Sequence, residues 1–198
     1  VRTEGPMVWP VTINVEEPKG TAVMRSGAQV GDVVGITNYV GYAATGLGAL
    51  SYNLEGYDMT KIGHQRPDPQ IELGEQLRQL GVHSMNDISD GLGSELNEIA
   101  FASNVSILVE ESAIPLHEET YALAQHLQTK PVDFALYGGE DFQLVFTAPK
   151  SLVPKLGNLA GITLIGEVVT GPPKVEMVTQ DRTIKTIEAK GYNHFHES

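Results

Sequence analysis

The sequence predicts an α/β protein, a layered α+β arrangement in which helices cover a mixed β-sheet. Segments with alternating apolar residues, typical of strands, are interleaved with segments whose apolar residues recur every three or four positions, typical of helices. The 21 glycines and 11 prolines supply the many turns that such interleaving requires. With 198 residues, of which 41% are hydrophobic and 19% charged, the chain can bury one substantial core.

The first part of the chain should contain two strands and two helices. Alternation predicts a strand at residues 11–15 and a second one at residues 33–36. Residues 40–54, rich in Ala, Gly and Leu, are predicted to form a helix. A second helix, ended by a glycine, is indicated by apolar residues at helical spacing: Ile71, Leu73, Leu77 and Leu80.

The segment from Asp87 to Leu92, with the sequence DISDGL, places two carboxylates around a hydroxyl between a predicted strand and a predicted helix. Ser89 and Asp90 stand at the helix start, where their oxygens can cap backbone N–H groups and where the helix dipole favours phosphate. Asp87 and Ser89 are two residues apart, so an extended backbone would direct both to one side. Carboxylates suit Mg²⁺, the usual bridge to nucleotide phosphate. The alternative is an ordinary N-cap with acidic flanks.

The remaining elements continue the alternation of helices and strands, and end in a hairpin. The predicted elements are strands at 105–109 and 142–146, helices at 118–128 and 152–156, an extended segment at 162–169, and a hairpin of residues 174–179 with 183–187.

A second unusual segment, YGGEDF, runs from Tyr137 to Phe142. Paired glycines before Glu140 and Asp141 indicate a tight turn that exposes carboxylates at a strand end. Such carboxylates can accept a hydrogen bond from a ligand amine or hold a metal. The alternative is a solvated turn, which an isolated GGED segment alone would favour.

Charge and cysteine content exclude several classes of function. A net charge of −12 argues against a nucleic-acid partner, and a phosphorylated substrate would require cations such as Mg²⁺ to mediate the contact. The absence of cysteine removes disulfides and zinc–thiolate sites and agrees with a cytoplasmic location. The stretch from Val33 to Leu54 has no charged residue, but glycines, asparagines and tyrosines interrupt it, so we interpret it as a buried strand and helix and not as a membrane span.

Considered together, the two acidic motifs resemble those of the thiamine-monophosphate kinase family, in the superfamily of aminoimidazole ribonucleotide synthetase. The likeness extends from about Pro18 to the C-terminus and includes three further segments: SGAQVGD at residues 26–32, HQRP at 64–67 and GYNHF at 191–195. The resemblance implies the fold of the synthetase C-terminal domain for residues 26–198. It also implies that residues 1–25 are the last strand and linker of an N-terminal ATP-binding domain.

The resemblance further implies an activity, in which the γ-phosphoryl group of ATP passes to thiamine monophosphate with the help of several Mg²⁺ ions. Asp87 and Asp90 would bind Mg²⁺, and Ser89 and Arg25 would bind ATP. Glu140 would hold the thiamine moiety. The aromatic residue that stacks on it would be Tyr192, with Phe195 as the competing choice. No catalytic residue is implied beyond these ligands.

The chain also departs from the family pattern. It shows neither the acidic positions of the N-terminal domain nor a Gly-Gly-Asp-Thr nucleotide motif, and it opens without an initiator methionine. We therefore expect a partial enzyme without independent turnover, from a protein whose full-length form is a homodimer. A family acidic position falls where Gly41 and Tyr42 stand, and their role stays unassigned.

Two other interpretations stay open. The chain could belong to another ATP-using member of the superfamily, of the selenophosphate synthetase or hydrogenase-maturation type, or be a non-catalytic fragment that only packs or dimerises. A metal pair at His194 and His196 is disfavoured because no third ligand with suitable spacing is present. Neither His64 nor His83 has an obvious partner in the sequence for nucleophilic catalysis.

Overall fold

Seven strands and seven α-helices follow one another along residues 12–14, 16 and 18–189, the part of the chain that the computed structural model describes. The elements are β1 (Val33–Thr37), α1 (Tyr42–Ser51), α2 (Asp58–Gln65), α3 (Ile71–Leu80), β2 (Ser84–Ile88), α4 (Leu92–Ser103), β3 (Ser106–Glu110), α5 (Glu118–Leu127), α6 (Pro131–Tyr137), β4 (Gln143–Ala148), α7 (Val153–Leu156), β5 (Ile162–Val169), β6 (Lys174–Val178) and β7 (Ile184–Ile187). Short 3₁₀ turns occur at Glu111–Ala113 and Lys150–Leu152.

The strands form one sheet in the order β2-β4-β1-β5-β3-β6-β7. β3 and β6 pair in parallel, whereas the other neighbouring strands are antiparallel, so the predicted mixed sheet is confirmed. The strand β2, which precedes the first acidic motif, lies at one edge and pairs with β4, which follows the second. This pairing determines where the two motifs meet.

Helices cover both faces of the sheet. On one face α4 and α6 bury Leu92, Leu96 and Leu136 against the strands in the larger core. On the other face α3 and α7 contribute Leu77 and Leu156 to a smaller core around a β4 phenylalanine. Complete burial of such side chains stabilises the fold by about 1.5–3 kcal/mol each. The structure therefore confirms the layered α/β class.

Most of the predicted elements are present, including the hairpin of β6 and β7, but one prediction is wrong. Residues 12–14, the described part of the strand predicted at 11–15, form no strand, and Ile13 is 80% exposed. These residues alternate in polarity but have no neighbouring strand to pair with, and alternation without pairing does not produce a strand. The helices α2 and α6 were not predicted. No helix in the described residues has the length and apolar character that crossing a bilayer requires.

Candidate functional site

The two acidic motifs lie side by side, joined by backbone hydrogen bonds. We call residues 87–91 the aspartate loop and residues 138–141 the GGED loop. The backbone N–H of Glu140 donates to the carbonyl oxygen of Ser89 at 2.8 Å, and the N–H of Phe142 donates to that of Ile88 at 2.9 Å. These bonds continue the pairing of β2 with β4 beyond the ends of both strands. The two acidic motifs, far apart in the sequence, are therefore in direct contact.

The paired glycines of the GGED loop permit this contact. A Cβ atom on Gly139 would lie well under 3.0 Å from the carbonyl oxygen of Ser89, and one on Gly138 would meet Ala44 and the carbonyl of Phe134 just as closely. No side chain fits between the two loops at Gly139. The glycines are thus required by close packing, and neither adopts the left-handed conformation.

Two non-glycine residues that follow these glycines do adopt a left-handed backbone. Glu140 has a φ of 66° and Phe142 a φ of 50°. This conformation is uncommon for a phenylalanine, and such strain of about 1–3 kcal/mol concentrates at functional sites. The carboxylate of Glu140 is exposed as a result, in agreement with the predicted turn.

The prediction that the turn also exposes the carboxylate of Asp141 is wrong, because this carboxylate is buried. The residue is 5% exposed. Its two oxygens accept hydrogen bonds from the backbone N–H groups of Gly41, at 2.6 Å, and Ala43, at 2.8 Å, at the start of α1. Burial raises the pKa of Asp141 to about 6, although these N–H donors lower it. Asp141 therefore fastens the GGED loop to α1. Gly41 is required for a different reason, its φ of 72° and a Cβ position that would lie 2.7 Å from the backbone nitrogen of Ala135.

The pKa of Asp141 leads to a prediction about stability. A carboxyl with a raised pKa in the folded state stabilises the fold below its unfolded pKa, and this contribution is lost as the pH rises through the folded pKa. We compare the unfolding free energy of the unaltered chain with that of Asp141→Asn. The amount by which the unaltered chain is more stable should decrease by roughly 2 kcal/mol between pH 4 and pH 7. Urea unfolding of both proteins at several pH values measures this difference in unfolding free energy. A difference that is constant or grows with pH would contradict the assignment.

A cleft of about 1010 Å³ opens beside the two loops. Its walls come from α1, α6 and both loops, and three carboxyls line it, those of Asp90, Asp133 and Glu140. The imidazole of His64 lines it as well. Aromatic rings of Phe134 and Tyr137 also line it. An acidic cleft of this kind attracts cations, and it accepts phosphate when cations accompany the phosphate.

The start of α4 differs from the predicted cap. Its N-cap is Gly91, with a φ of 96°, and no side chain caps the helix, so the capping role expected of Ser89 and Asp90 is wrong. The glycine is needed because a Cβ there would press against the carbonyls of Leu136 and Gly138. The N–H of Asp90 instead donates to the carboxylate of Glu95 at 3.2 Å.

Asp87 and Ser89 also do not point to the same side. Asp87 is paired with Leu144 across the strands and so shares the sheet face of the smaller core. β2 ends at Ile88, and the hydroxyl of Ser89 lies 3.5 Å from Glu95, on the face covered by α4. The chain turns at Ser89, so the alternation of an extended strand no longer applies. Ser89 and Asp90 line the cleft.

Glu95 is a site residue that the sequence did not reveal. Burial raises its pKa to about 7, with the nearby carboxylates of Glu98, Asp87 and Asp90 adding to the shift and the Asp90 N–H opposing it. The four carboxyls are therefore close enough to interact. The one local signal was an acidic residue in the first turn of α4, where a carboxylate is favoured beside the free backbone N–H groups.

Arg25 lies outside the cleft. Its guanidinium forms an ion pair with Glu98 on α4, and both are partly exposed beside a shallow depression of about 490 Å³. The segment that carries it is held by Ser103, whose hydroxyl accepts from the N–H groups of Gly27 and Ala28 at 3.1 Å. The structure thus unites Ser89, Asp90 and Glu140 at the cleft, whereas Asp87 stands on the sheet face of the smaller core and Arg25 on a neighbouring surface.

The histidines and the terminal aromatics complete the survey of predicted residues. His83 has a partner that the sequence did not show, since its Nδ1 lies 2.9 Å from the buried carboxylate of Asp32. Among the described residues, no three His, Cys, Asp or Glu side chains are placed to hold a metal ion together. Four residues named above fall outside the described part of the chain: Tyr192, His194, Phe195 and His196.

Comparison with known families identifies this architecture. Residues 29–178 match the family model described as AIR synthase related protein, C-terminal domain. The chain belongs to this family. As a member of the AIR synthase related family, it resembles curated thiamine-monophosphate kinases, so the resemblance noted from the motifs is confirmed. The Bacillus subtilis (strain 168) thiamine-monophosphate kinase is 36% identical over 98% of the chain.

Solved structures with the AIR synthase related fold superpose on this chain, in agreement with the family match. The structure of AaThiL complexed with AMPPCP and TMP superposes with a TM-score of 0.75 at 32% identity, over 87% of this chain and 54% of that one. Escherichia coli HypE, a hydrogenase maturation protein, superposes with a TM-score of 0.71 at 20% identity, over 88% of this chain and 55% of that one, which shows a shared fold. The chain spans 62% of the length of the Bacillus relative.

Proposed function

We propose that this chain binds ATP and thiamine monophosphate and takes part in transferring the γ-phosphoryl group between them. The observation that carries the proposal is the direct contact of the aspartate loop with the GGED loop at one acidic cleft. The likeness to thiamine-monophosphate kinases, and to AaThiL complexed with AMPPCP and TMP, supports the choice of substrates. In the reaction the bond from the γ-phosphorus to the bridging oxygen of ATP breaks, and one to a phosphate oxygen of thiamine monophosphate forms.

Asp87 and Asp90 would hold Mg²⁺ in this proposal. Both carboxylates are exposed, and carboxylate oxygens are the donors that Mg²⁺ prefers. Mg²⁺ commonly keeps several waters and takes only one or two protein carboxylates together with substrate phosphates, so a full cage of protein ligands is not required. When bound, Mg²⁺ neutralises phosphate charge that the acidic cleft would otherwise repel.

Glu140 would hold the thiamine moiety. Its exposed carboxylate stands at the cleft beside Tyr137, and thiamine carries a cationic ring and an amine that a carboxylate can bind. Ser89, which also lines the cleft, would contact ATP. Arg25 would reach the nucleotide phosphates from the neighbouring surface while it keeps its ion pair with Glu98, because a guanidinium has five N–H donors. Tyr192 would stack on thiamine, with Phe195 as the competing choice.

Several broader features are part of the same proposal. Residues 26–198 form the C-terminal domain of the kinase and residues 1–25 a remnant of its ATP-binding domain with the linker, and the full enzyme is a cytoplasmic homodimer that binds neither nucleic acid nor membranes. The chain spans 62% of the length of the Bacillus relative, and by itself it should bind the ligands without turning them over.

Calorimetry tests the proposal against its two rivals. The chain is titrated with AMPPCP in Mg²⁺, with AMPPCP in EDTA, and with thiamine monophosphate. We expect heat with Mg²⁺–AMPPCP and with thiamine monophosphate, and much less without the metal. Nucleotide binding without thiamine monophosphate binding would favour another ATP-using member of the superfamily. No heat with any ligand would favour a fragment that only packs or dimerises.

Changing Glu140 to glutamine should weaken thiamine monophosphate specifically. The substitution keeps the shape and removes the charge that faces the cationic substrate, so we expect the KM for thiamine monophosphate in the intact protein to rise about tenfold. The KM for ATP should change little. Steady-state kinetics with each substrate varied in turn provides the measurement. Asp133→Asn serves as the control, because it also removes one carboxylate charge from the cleft without changing the length of the side chain. A change confined to ATP would contradict the assignment.

A further inference from the structure

A buried carboxylate lies beneath the aspartate loop and has no role in the proposed site. Glu95 belongs to the first turn of α4 and is 3% exposed. One of its oxygens accepts the hydrogen bond from the Asp90 N–H at 3.2 Å and lies 3.5 Å from the hydroxyl oxygen of Ser89. The other oxygen accepts from the side-chain amide of Asn86 on β2. A single side chain thus connects the strand, the loop and the helix.

The same contacts lead to Arg25. The amide of Asn86 also donates to the carboxylate of Glu98 at 3.2 Å, and Glu98 forms the ion pair with Arg25. A continuous series of polar contacts therefore runs from the Arg25 guanidinium through Glu98, Asn86 and Glu95 to the backbone of Asp90. It joins the neighbouring surface to the cleft, although the two are separate depressions.

Stability alone does not explain a carboxylate in this place. Burying a carboxylate is unfavourable, and the nearby carboxylates of Asp87, Asp90 and Glu98 make this worse. An apolar side chain of similar size would avoid both costs but would leave the Asp90 N–H and the Asn86 amide without their acceptor. Glu95 therefore serves to accept hydrogen bonds from the aspartate loop and from the strand that precedes it.

We infer that Glu95 is a positioning residue, which fixes the backbone of Asp90 and, through Asn86 and Glu98, the place of Arg25 relative to the aspartate loop. The inference rests on the proposed function, because Asp90, Ser89 and Arg25 are the residues proposed to bind Mg²⁺ and ATP. Glu95 itself contacts neither ligand in this assignment. It holds the groups that do.

Replacing Glu95 with glutamine tests the inference. Glu95→Gln keeps the size of the side chain, but an amide has one oxygen and one NH₂ group, so it cannot accept from both Asp90 and Asn86. In the intact protein we expect Glu95→Gln to raise the Kd for Mg²⁺–AMPPCP about tenfold and to speed hydrogen exchange at the Asp90 amide. The Kd for thiamine monophosphate should change by less than about threefold, which a general loss of structure would not spare.

The outcomes separate this inference from the function on which it rests. If the unaltered protein binds no Mg²⁺–AMPPCP, the proposed function fails and the inference falls with it, before any variant is made. If it binds, unchanged affinity in a folded Glu95→Gln variant overturns the inference alone, as does an equal loss of affinity for thiamine monophosphate. Hydrogen exchange at the Asp90 amide needs no variant. Exchange as rapid as in an unbonded exposed loop would also overturn it.

Discussion

Replacing Asp90 with asparagine should lower turnover in the intact protein by at least about 100-fold, the scale expected when one preorganised electrostatic group is lost. Asp87→Asn should act in the same direction. The reason is that an amide binds Mg²⁺ much less well than a carboxylate, so phosphate charge in the acidic cleft stays unneutralised. Steady-state kinetics at several Mg²⁺ concentrations provides the measurement, and extra Mg²⁺ should recover part of the loss.

Fold stability should not change in the same variants. Both side chains are exposed, and removing either charge relieves repulsion on the buried carboxyl of Glu95, so the melting temperature should stay equal or rise slightly. Asp133→Asn is the matched control because Asp133 lines the same cleft and has no proposed metal role. Its turnover should stay within about threefold of the unaltered protein. Unchanged turnover in both Asp87→Asn and Asp90→Asn would exclude the metal assignment.

Replacing Gly139 with alanine should separate the two loops and cost both stability and binding. The new Cβ would occupy the space of the Ser89 carbonyl, and a backbone atom of this kind cannot move aside as a flexible side chain does. We expect a loss of about 1–3 kcal/mol in unfolding free energy, the usual cost of overpacking, and a loss of Mg²⁺–AMPPCP binding of at least about tenfold. Urea unfolding and calorimetry on the same samples measure the two effects.

Gly157→Ala provides the control for that substitution. Gly157 has a right-handed helical backbone, and a Cβ there would meet its nearest neighbour at an ordinary 3.5 Å. Its stability should therefore change by less than about 0.5 kcal/mol, and its ligand binding should not change. If Gly139→Ala behaves like Gly157→Ala, the loops are not held together as tightly as their contacts indicate.

Local patterns in the sequence correctly predicted the strands and helices whose formation and ends depend on neighbouring residues. β5 forms over the residues predicted to be extended, and α3 ends at Gly81, whose left-handed conformation closes the helix as expected. The two acidic motifs were also found from residue types alone. What such patterns provide is the identity of short elements and the chemistry of exposed side chains.

Long-range partners explain what the sequence could not show. Asp141 was predicted to be exposed because its hydrogen-bond donors at the start of α1 are distant in sequence, and nothing local distinguishes a buried helix cap from a solvated turn. α2 was missed for a similar reason. Only Thr60 of that helix is buried, and Glu119 from α5 stabilises its start by accepting from the Thr60 N–H at 2.8 Å. α6 did carry a local signal, a proline at its beginning.

The position of β1 has a consequence for how the protein is made. The residues of β1 are synthesised before both of its neighbours in the sheet, because β4 and β5 come much later in the chain. Until they emerge from the ribosome, β1 and the uncharged residues that follow it have no native partner to cover them. A nascent chain stalled before residue 143 would thus present a bare apolar strand, which makes this segment a natural point for chaperone capture or aggregation.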